Sequence, residues 1–205
     1  EFIYNSGVPA GLGSNDISLD RGQVGDYLLV RVERIGNKVL LRQINLKYRA
    51  DSINKKERQA VEDAFASSII GGFKVEAHND NRVLINFTDF LLTDQHGIAD
   101  SIARARQGDF AVDASRSAVY MPRTKSFPRN TEFEAVLTLK SNNPGQYVRE
   151  VSAQGNVISL RQHISFVKLP EPGYKIRAYN VNSGYFSGGY VDYAVPIEED
   201  MTKRY

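Results

Sequence analysis

Residues 26–35 (DYLLVRVERI) and 38–42 (KVLLR) flank the pair Gly36-Asn37. Alternation of apolar and polar residues puts successive side chains on opposite faces of a strand. A Gly/Asn pair reverses the chain tightly, so residues 26–42 are predicted to form a β-hairpin with one buried and one wet face. The pattern recurs. Residues 72–76 and 82–87 flank the turn-forming run His78-Asn79-Asp80-Asn81, which predicts a second hairpin. Residues 132–140, 147–151 and 157–167 read as further strands, with a turn at Ser141-Asn142-Asn143-Pro144-Gly145. Residues 2–4 open the chain in strand-like sequence, and 111–120 fit neither period.

Two segments have helical spacing. In residues 54–66, Asn54 can cap the first turn, Ala60, Val61, Ala64 and Phe65 share an apolar face, and Glu57, Arg58, Glu62 and Asp63 share the wet one. Residues 97–106 form a shorter candidate with Ile98 and Ile102 inward. The predicted fold class is therefore mainly β or α+β: antiparallel sheet with hairpins and one or two helices packed on it. No linker, repeat or composition shift divides the chain, and residues 1–205 are read as one region. The opening in mid-strand and the ending Lys203-Arg204-Tyr205 suggest a piece of a longer protein.

The block from Gly7 to Gln23 is rich in glycine and carboxylate and reads as a long ordered loop. Asp16 and Asp20 are its candidate loop-closing carboxylates. Asp16, Asp20 and Asp26 lack the spacing of an EF-hand, and short acidic side chains also close turns through backbone N–H groups. Gly11-Leu12-Gly13 lacks the Lys-Ser/Thr of a phosphate-binding loop.

Composition excludes several chemistries. There is no cysteine, hence no disulfide, thiolate nucleophile or Cys-ligated zinc. With 26 basic and 24 acidic residues, the net charge of +2 gives no electrostatic reason to expect nucleic acid as a partner. No apolar run approaches the ~20 residues of a membrane helix, and no signal peptide is seen. The histidines His78, His96 and His163 show no i, i+4 pairing for zinc. His163, inside a strand pattern, reads as a hydrogen-bonded structural group. No serine has an evident His/Asp partner. No catalytic residue and no metal ligand is therefore expected.

Two surfaces are candidates for binding. Ser115-Arg116-Ser117 and residues 122–130 (PRTKSFPRN) form a basic, hydroxyl-rich patch. Arg116, Arg123 and Arg129 are either a clamp for a carboxylate or other anion or part of a surface loop pinned by two prolines. Late in the chain Tyr174, Tyr179, Tyr185, Phe186, Tyr190 and Tyr193 crowd together. Aromatic clustering of this kind serves packing against another surface or a stacking platform for sugar or peptide.

Four stretches in order carry a family resemblance: residues 9–23 (PAGLGSNDISLDRGQ); 75–92, with Thr88-Asp89-Phe90-Leu91-Leu92; 113–134 (DASRSAVYMPRTKSFPRNTEFE); and 160–186, with RQHISFVKLPEPGY followed by Ser183-Gly184-Tyr185-Phe186. Together they resemble the β-rich module that precedes the HExxH catalytic domain in exported bacterial zinc-dependent metalloproteases. The chain departs from the family pattern at Ile164, where a second histidine often follows the one matching His163. The resemblance implies a non-catalytic accessory region that packs on and supports a downstream peptidase domain of the same chain. Zinc would belong to that domain, where two helical histidines hold it and a glutamate activates water. An exported location is implied too. The expected packing or ligand surface comprises Arg116, Arg123, Arg129, His163, Tyr174, Tyr185, Phe186 and Tyr190, with peptide substrate as a further possible contact. The alternative is an independent peptide- or glycan-binding β module.

Overall fold

The computed structural model describes residues 1–13, 17–171, 173, 175, 180, 182 and 188–204. Its strands are β1 (Phe2–Ala10), β2 (Gln23–Val24), β3 (Leu28–Ile35), β4 (Lys38–Gln43), β5 (Tyr48–Arg49), β6 (Ser68–His78), β7 (Val83–Ile85), β8 (Ala111–Val112), β9 (Ala118–Val119), β10 (Lys125–Ser126), β11 (Asn130–Lys140), β12 (Val157–Lys168), β13 (Gly189–Asp192) and β14 (Thr202–Arg204). The helices are α1 (Lys55–Ala64), α2 (Thr88–Leu91), α3 (Ile98–Arg104) and α4 (Gln146–Val151). Antiparallel strands dominate, with a few helices packed on them, as the alternating patterns predict.

The larger sheet runs β10-β11-β12-β1-β3-β4-β6-β7, with β2 added to β1 and β8 and β9 added to β11. The smaller sheet, β14-β13-β5, contains a parallel pair, β13 with β5. The β3–β4 hairpin forms in register from Val30 opposite Gln43 to Ile35 opposite Lys38. Gly36 takes φ +60°, a conformation that its two-residue loop needs and side chains disfavour. On the free side of β11, three short strands pair in turn: β8 at Leu139 and Lys140, β9 at Ala135 and Val136, β10 at Thr131 and Glu132. Two 3₁₀ turns, Ala114–Arg116 and Met121–Arg123, interrupt them. A broken strand of this kind satisfies β11 without presenting a long flat edge to other chains.

One face of the sheet carries the core. Ile158 and Leu160 of β12 join Leu137 and Leu139 of β11 in an apolar cluster closed by Ile98 and Ile102 of α3 and Val148 of α4. Farther along β12, Ile164 joins a second cluster with Tyr4, Val30, Leu41, Phe73 and the α2 residues Phe90 and Leu91. Between these two clusters, on the same face, stands Gln162, only 1% exposed.

Three expectations are corrected. Residues 7–10 are not loop; β1 continues to Ala10, with a register break between Gly7 and Ala10. Pro9 falls within that irregular stretch, where a strand tolerates a residue without N–H. Residues 147–151 are helix, not strand. The N–H of Gly145 donates to the Gln107 carbonyl (2.7 Å), that of Tyr147 to Gln107 Oε1 (3.0 Å), and the Tyr147 hydroxyl to the Leu12 carbonyl (2.9 Å). These contacts drive Val148 fully into the core. Helix α1 has its expected cap, the Asn54 side chain accepting from the Lys56 N–H (3.0 Å), but buries no residue. Ala60 and Ala64 are exposed; only Val61 and Phe65 are half-buried, and Phe65 stacks on Tyr48 with ring centroids 4.2 Å apart.

Candidate functional site

The same alternation that sends Ile158, Leu160 and Ile164 inward sends Arg161, His163 and Ser165 to the opposite face of the sheet. On β11 it sends Glu132 and Glu134 there. The register sets Glu134 opposite His163 and Glu132 opposite Ser165, so each carboxylate faces a hydrogen-bonding side chain across the strands. His163 Nε2 lies 2.7 Å from Glu132 Oε2, and Nδ1 lies 3.5 Å from Glu134 Oε2. The Ser165 hydroxyl donates to Glu132. Burial works against the charge on Glu132, but hydrogen bonds from Ser165, Asn130 and His163 outweigh it and hold its pKa below the ordinary glutamate value.

Serine, histidine and carboxylate are thus neighbours, but they are not arranged for nucleophilic attack. A general base must face the hydroxyl it deprotonates. Here Nε2 is closest to Glu132, 3.3 Å from Ser165 Oγ, and the serine proton is directed to the carboxylate. The arrangement is a hydrogen-bonded network that ties β11 to β12. His163 is hydrogen-bonded across the strand pair.

Beside this network lies a hollow of about 270 Å³ lined by Pro9, Arg21, Gly22, Arg123, Glu134 and Arg161. Five separated segments build it. Arg21 rides on a turn in which the Gly22 N–H donates to the Val8 carbonyl (2.8 Å) and the Gln23 amide donates to Asp20 Oδ1 (2.7 Å). Asp20 therefore closes a turn. Gly22 has φ +95°, and no atom lies within 4 Å of where a Cβ would sit. Arg123 ends the second 3₁₀ turn, whose Pro122 favours the helical φ at its start. The Tyr120 N–H donates to the Glu134 carbonyl (2.6 Å), fixing this turn against β11. Arg161 extends from β12, its Nη1 3.1 Å from Glu134 Oε1 and its guanidinium 5.1 Å from the Tyr120 ring centroid. Three arginines against one glutamate leave the hollow positive.

The basic patch read from the sequence is therefore divided. Arg123 joins the hollow. Arg116 is held by Asp113, with Nε at 2.9 Å and Nη2 at 2.8 Å. Arg129 extends into solvent 3.9 Å from Glu171. Tyr190 bonds to Asp51 and lies under the Arg49 guanidinium, 3.3 Å from the ring centroid. Tyr174, Tyr185, Phe186 and Asp16 lie outside the described residues. His78 ends β6 and is exposed. His96 is half-buried with Nδ1 3.1 Å from Ser6 Oγ, and burial pushes its pKa down, Asp94 offsetting part of the shift.

A second hollow is apolar. It has about 320 Å³ of space, is open to solvent, and is lined by Phe2, Phe73, Phe87, Phe133, Phe166 and neighbouring aliphatic residues. Phe87, just before α2, stands 5.2 Å from Phe133 of β11 and 4.9 Å from Phe73 of β6, centroid to centroid. Val32 on its rim is 51% exposed. Sequence reasoning missed both hollows, because each depends on strand order.

Among the described residues no group of three or more His, Asp or Glu side chains is placed to hold a metal ion, and no helix is long and apolar enough to cross a membrane. The chain contains neither an HExxH sequence nor a cysteine. Residues 22–205 match the family model described as Domain of unknown function (DUF5117), and the chain belongs to that family. No curated protein and no solved structure matches it.

Proposed function

We propose that this DUF5117 domain is the non-catalytic accessory domain of an exported bacterial zinc-dependent metallopeptidase, and that it packs on and supports an HExxH domain following it in the same chain. The observation that carries this reading is the open apolar hollow. Five phenylalanines line it, and apolar surface left in water costs about 25 cal/mol per Å². Exposed apolar surface gathered in one place marks a surface used for contact. The four-motif resemblance supplies the identity of the neighbour. In this reading zinc and the water-activating glutamate belong to the neighbour, and this domain contributes packing.

The test begins with the coding sequence beyond Tyr205, which should encode HExxH on a predicted helix. In the longer protein, Val32→Glu at the rim should lower peptidase turnover, and the amides around Phe73 and Phe133 should exchange more slowly than in the 205-residue chain. Absence of HExxH, or equal exchange in the two proteins, would refute the reading. A second reading, a free-standing peptide-binding module, is favoured by the arginine-lined hollow.

A further inference from the structure

We propose that the hollow between β1, β11 and β12 binds the C-terminal residue of a peptide. Arg21 and Arg123 grip the α-carboxylate, and Glu134 Oε1 accepts the N–H of the same residue. The proposal stands whether or not a peptidase domain follows, so the two can fail separately.

Glu134 provides the first observation. Its side chain is 5% exposed, it lines the hollow, and Oε1 accepts no hydrogen bond despite the nearby Arg161. Arg161 compensates its charge at 3.1 Å, but a buried carboxylate oxygen is normally given an aligned donor as well. The second observation is the state of the arginines. Arg161 is committed to Glu134 and to the Tyr120 ring. Arg21 and Arg123 are exposed, and among the described residues neither takes part in any of the ion pairs. Two uncommitted guanidiniums facing one hollow suit a carboxylate, which accepts their N–H groups in paired, planar geometry.

These two features constrain the ligand together. A bare cation would be repelled by three arginines. A phosphate or polyanion would carry more negative charge than a carboxylate and be repelled more strongly by Glu134. An internal peptide segment without an acidic side chain would bring N–H groups but no charge for the arginines. The C-terminal residue of a peptide carries a carboxylate and an N–H on the same carbon. The hollow, at about 270 Å³, is large enough to admit a terminal residue with its carboxylate. Gly22 leaves its mouth clear, and Pro9 offers no N–H to compete for Oε1.

The experiment is calorimetric titration of the full chain at low salt with acetyl-Ala-Ala and with its C-terminal amide, alongside acetate and inorganic phosphate. Saturable binding of the acid, at least about tenfold tighter than the amide, acetate or phosphate, is expected from the loss of charge-assisted hydrogen bonds. Arg21→Ala and Arg123→Ala should each weaken the acid by about tenfold. Both side chains are exposed, and near-ultraviolet circular dichroism should show each variant folded. Glu134→Gln should reduce the preference for the dipeptide over acetate. Equal binding of acid and amide, phosphate binding as tightly as the acid, or no saturable binding by the folded chain would overturn the proposal.

Discussion

Replacing Gln162 by Leu should loosen the joint between the two core clusters. Gln162 Oε1 accepts the N–H groups of Gln95 (2.7 Å) and His96 (3.0 Å), and its amide donates to the Thr93 carbonyl (3.0 Å). One buried side chain thus holds the segment that connects α2 to α3. Leucine matches the volume but removes every one of these partners. Thr93 is exposed, so its carbonyl recovers a hydrogen bond from water. The two N–H groups are half-buried, and leaving each unsatisfied costs about 2 kcal/mol. Placing an apolar group beside Ile164 and Leu160 returns about 1 kcal/mol, so the net loss is about 3 kcal/mol. Urea unfolding followed by circular dichroism should show this as a lower midpoint with an unchanged slope. Amide exchange identifies the cause. The Gln95 and His96 amides should exchange faster in Gln162→Leu but stay protected in Gln162→Glu, which retains the acceptor. A loss under 1 kcal/mol in the leucine variant, or unchanged exchange at residues 95 and 96, would refute the argument.

Asp94 caps α3 from outside the helix, its carboxylate accepting from the Ile98 and Ala99 N–H groups at 2.8 Å each; Asp94→Ala should cost about 1–2 kcal/mol, and a melting temperature unchanged by calorimetry would count against it. Acid should destabilise the protein in two steps, because His96 and Glu132 both have pKa values below their ordinary 6.5 and 4.5 and so bind protons more readily when unfolded. Stability is then full above about pH 6.5, declines first through His96, and declines again below about pH 4.5 through Glu132. Glu132→Gln should cost about 1–2 kcal/mol at neutral pH and remove only the lower step; a variant whose stability profile still falls in parallel with the parent below pH 4.5 would refute this.

How far the sequence can be read depends on whether an element's signal is local. The β3–β4 hairpin is legible because Gly36 and the flanking alternation lie within one short window. Helix α3 is legible because Ile98 and Ile102 sit one turn apart. Helix α4 is not, because Tyr147, Val148 and Val151 span too few residues to establish a period, and its conformation is imposed by Gln107 and Leu12 from elsewhere in the chain. The second half of β1 is obscured by Gly7 and Pro9, which propensity assigns to loops. Gly7 nevertheless pairs with His163 on one side and Val24 on the other, and a Cβ there would approach the Gln23 carbonyl to 3.1 Å. Gln162 had a readable signal: with Ile158, Leu160 and Ile164 facing inward, a polar residue at the intervening inward position must find partners.

The candidate site follows the same logic at longer range. Arg123 stands out in sequence as part of a basic loop, but a basic loop has no addressee. Its significance comes from the register that sets β12 between β11 and β1, bringing Arg161 and Glu134 together and placing the Arg21 turn across from the Arg123 turn. A carboxylate at an outward position of an amphipathic strand carries no special signal until its neighbours exclude water from it. Burial of Glu134 therefore changes the meaning of the arginines. Exposed arginines alone would describe a solvated surface. Arranged around a buried acceptor that Arg161 approaches without an aligned hydrogen bond, they suit a ligand that brings negative charge and an N–H together.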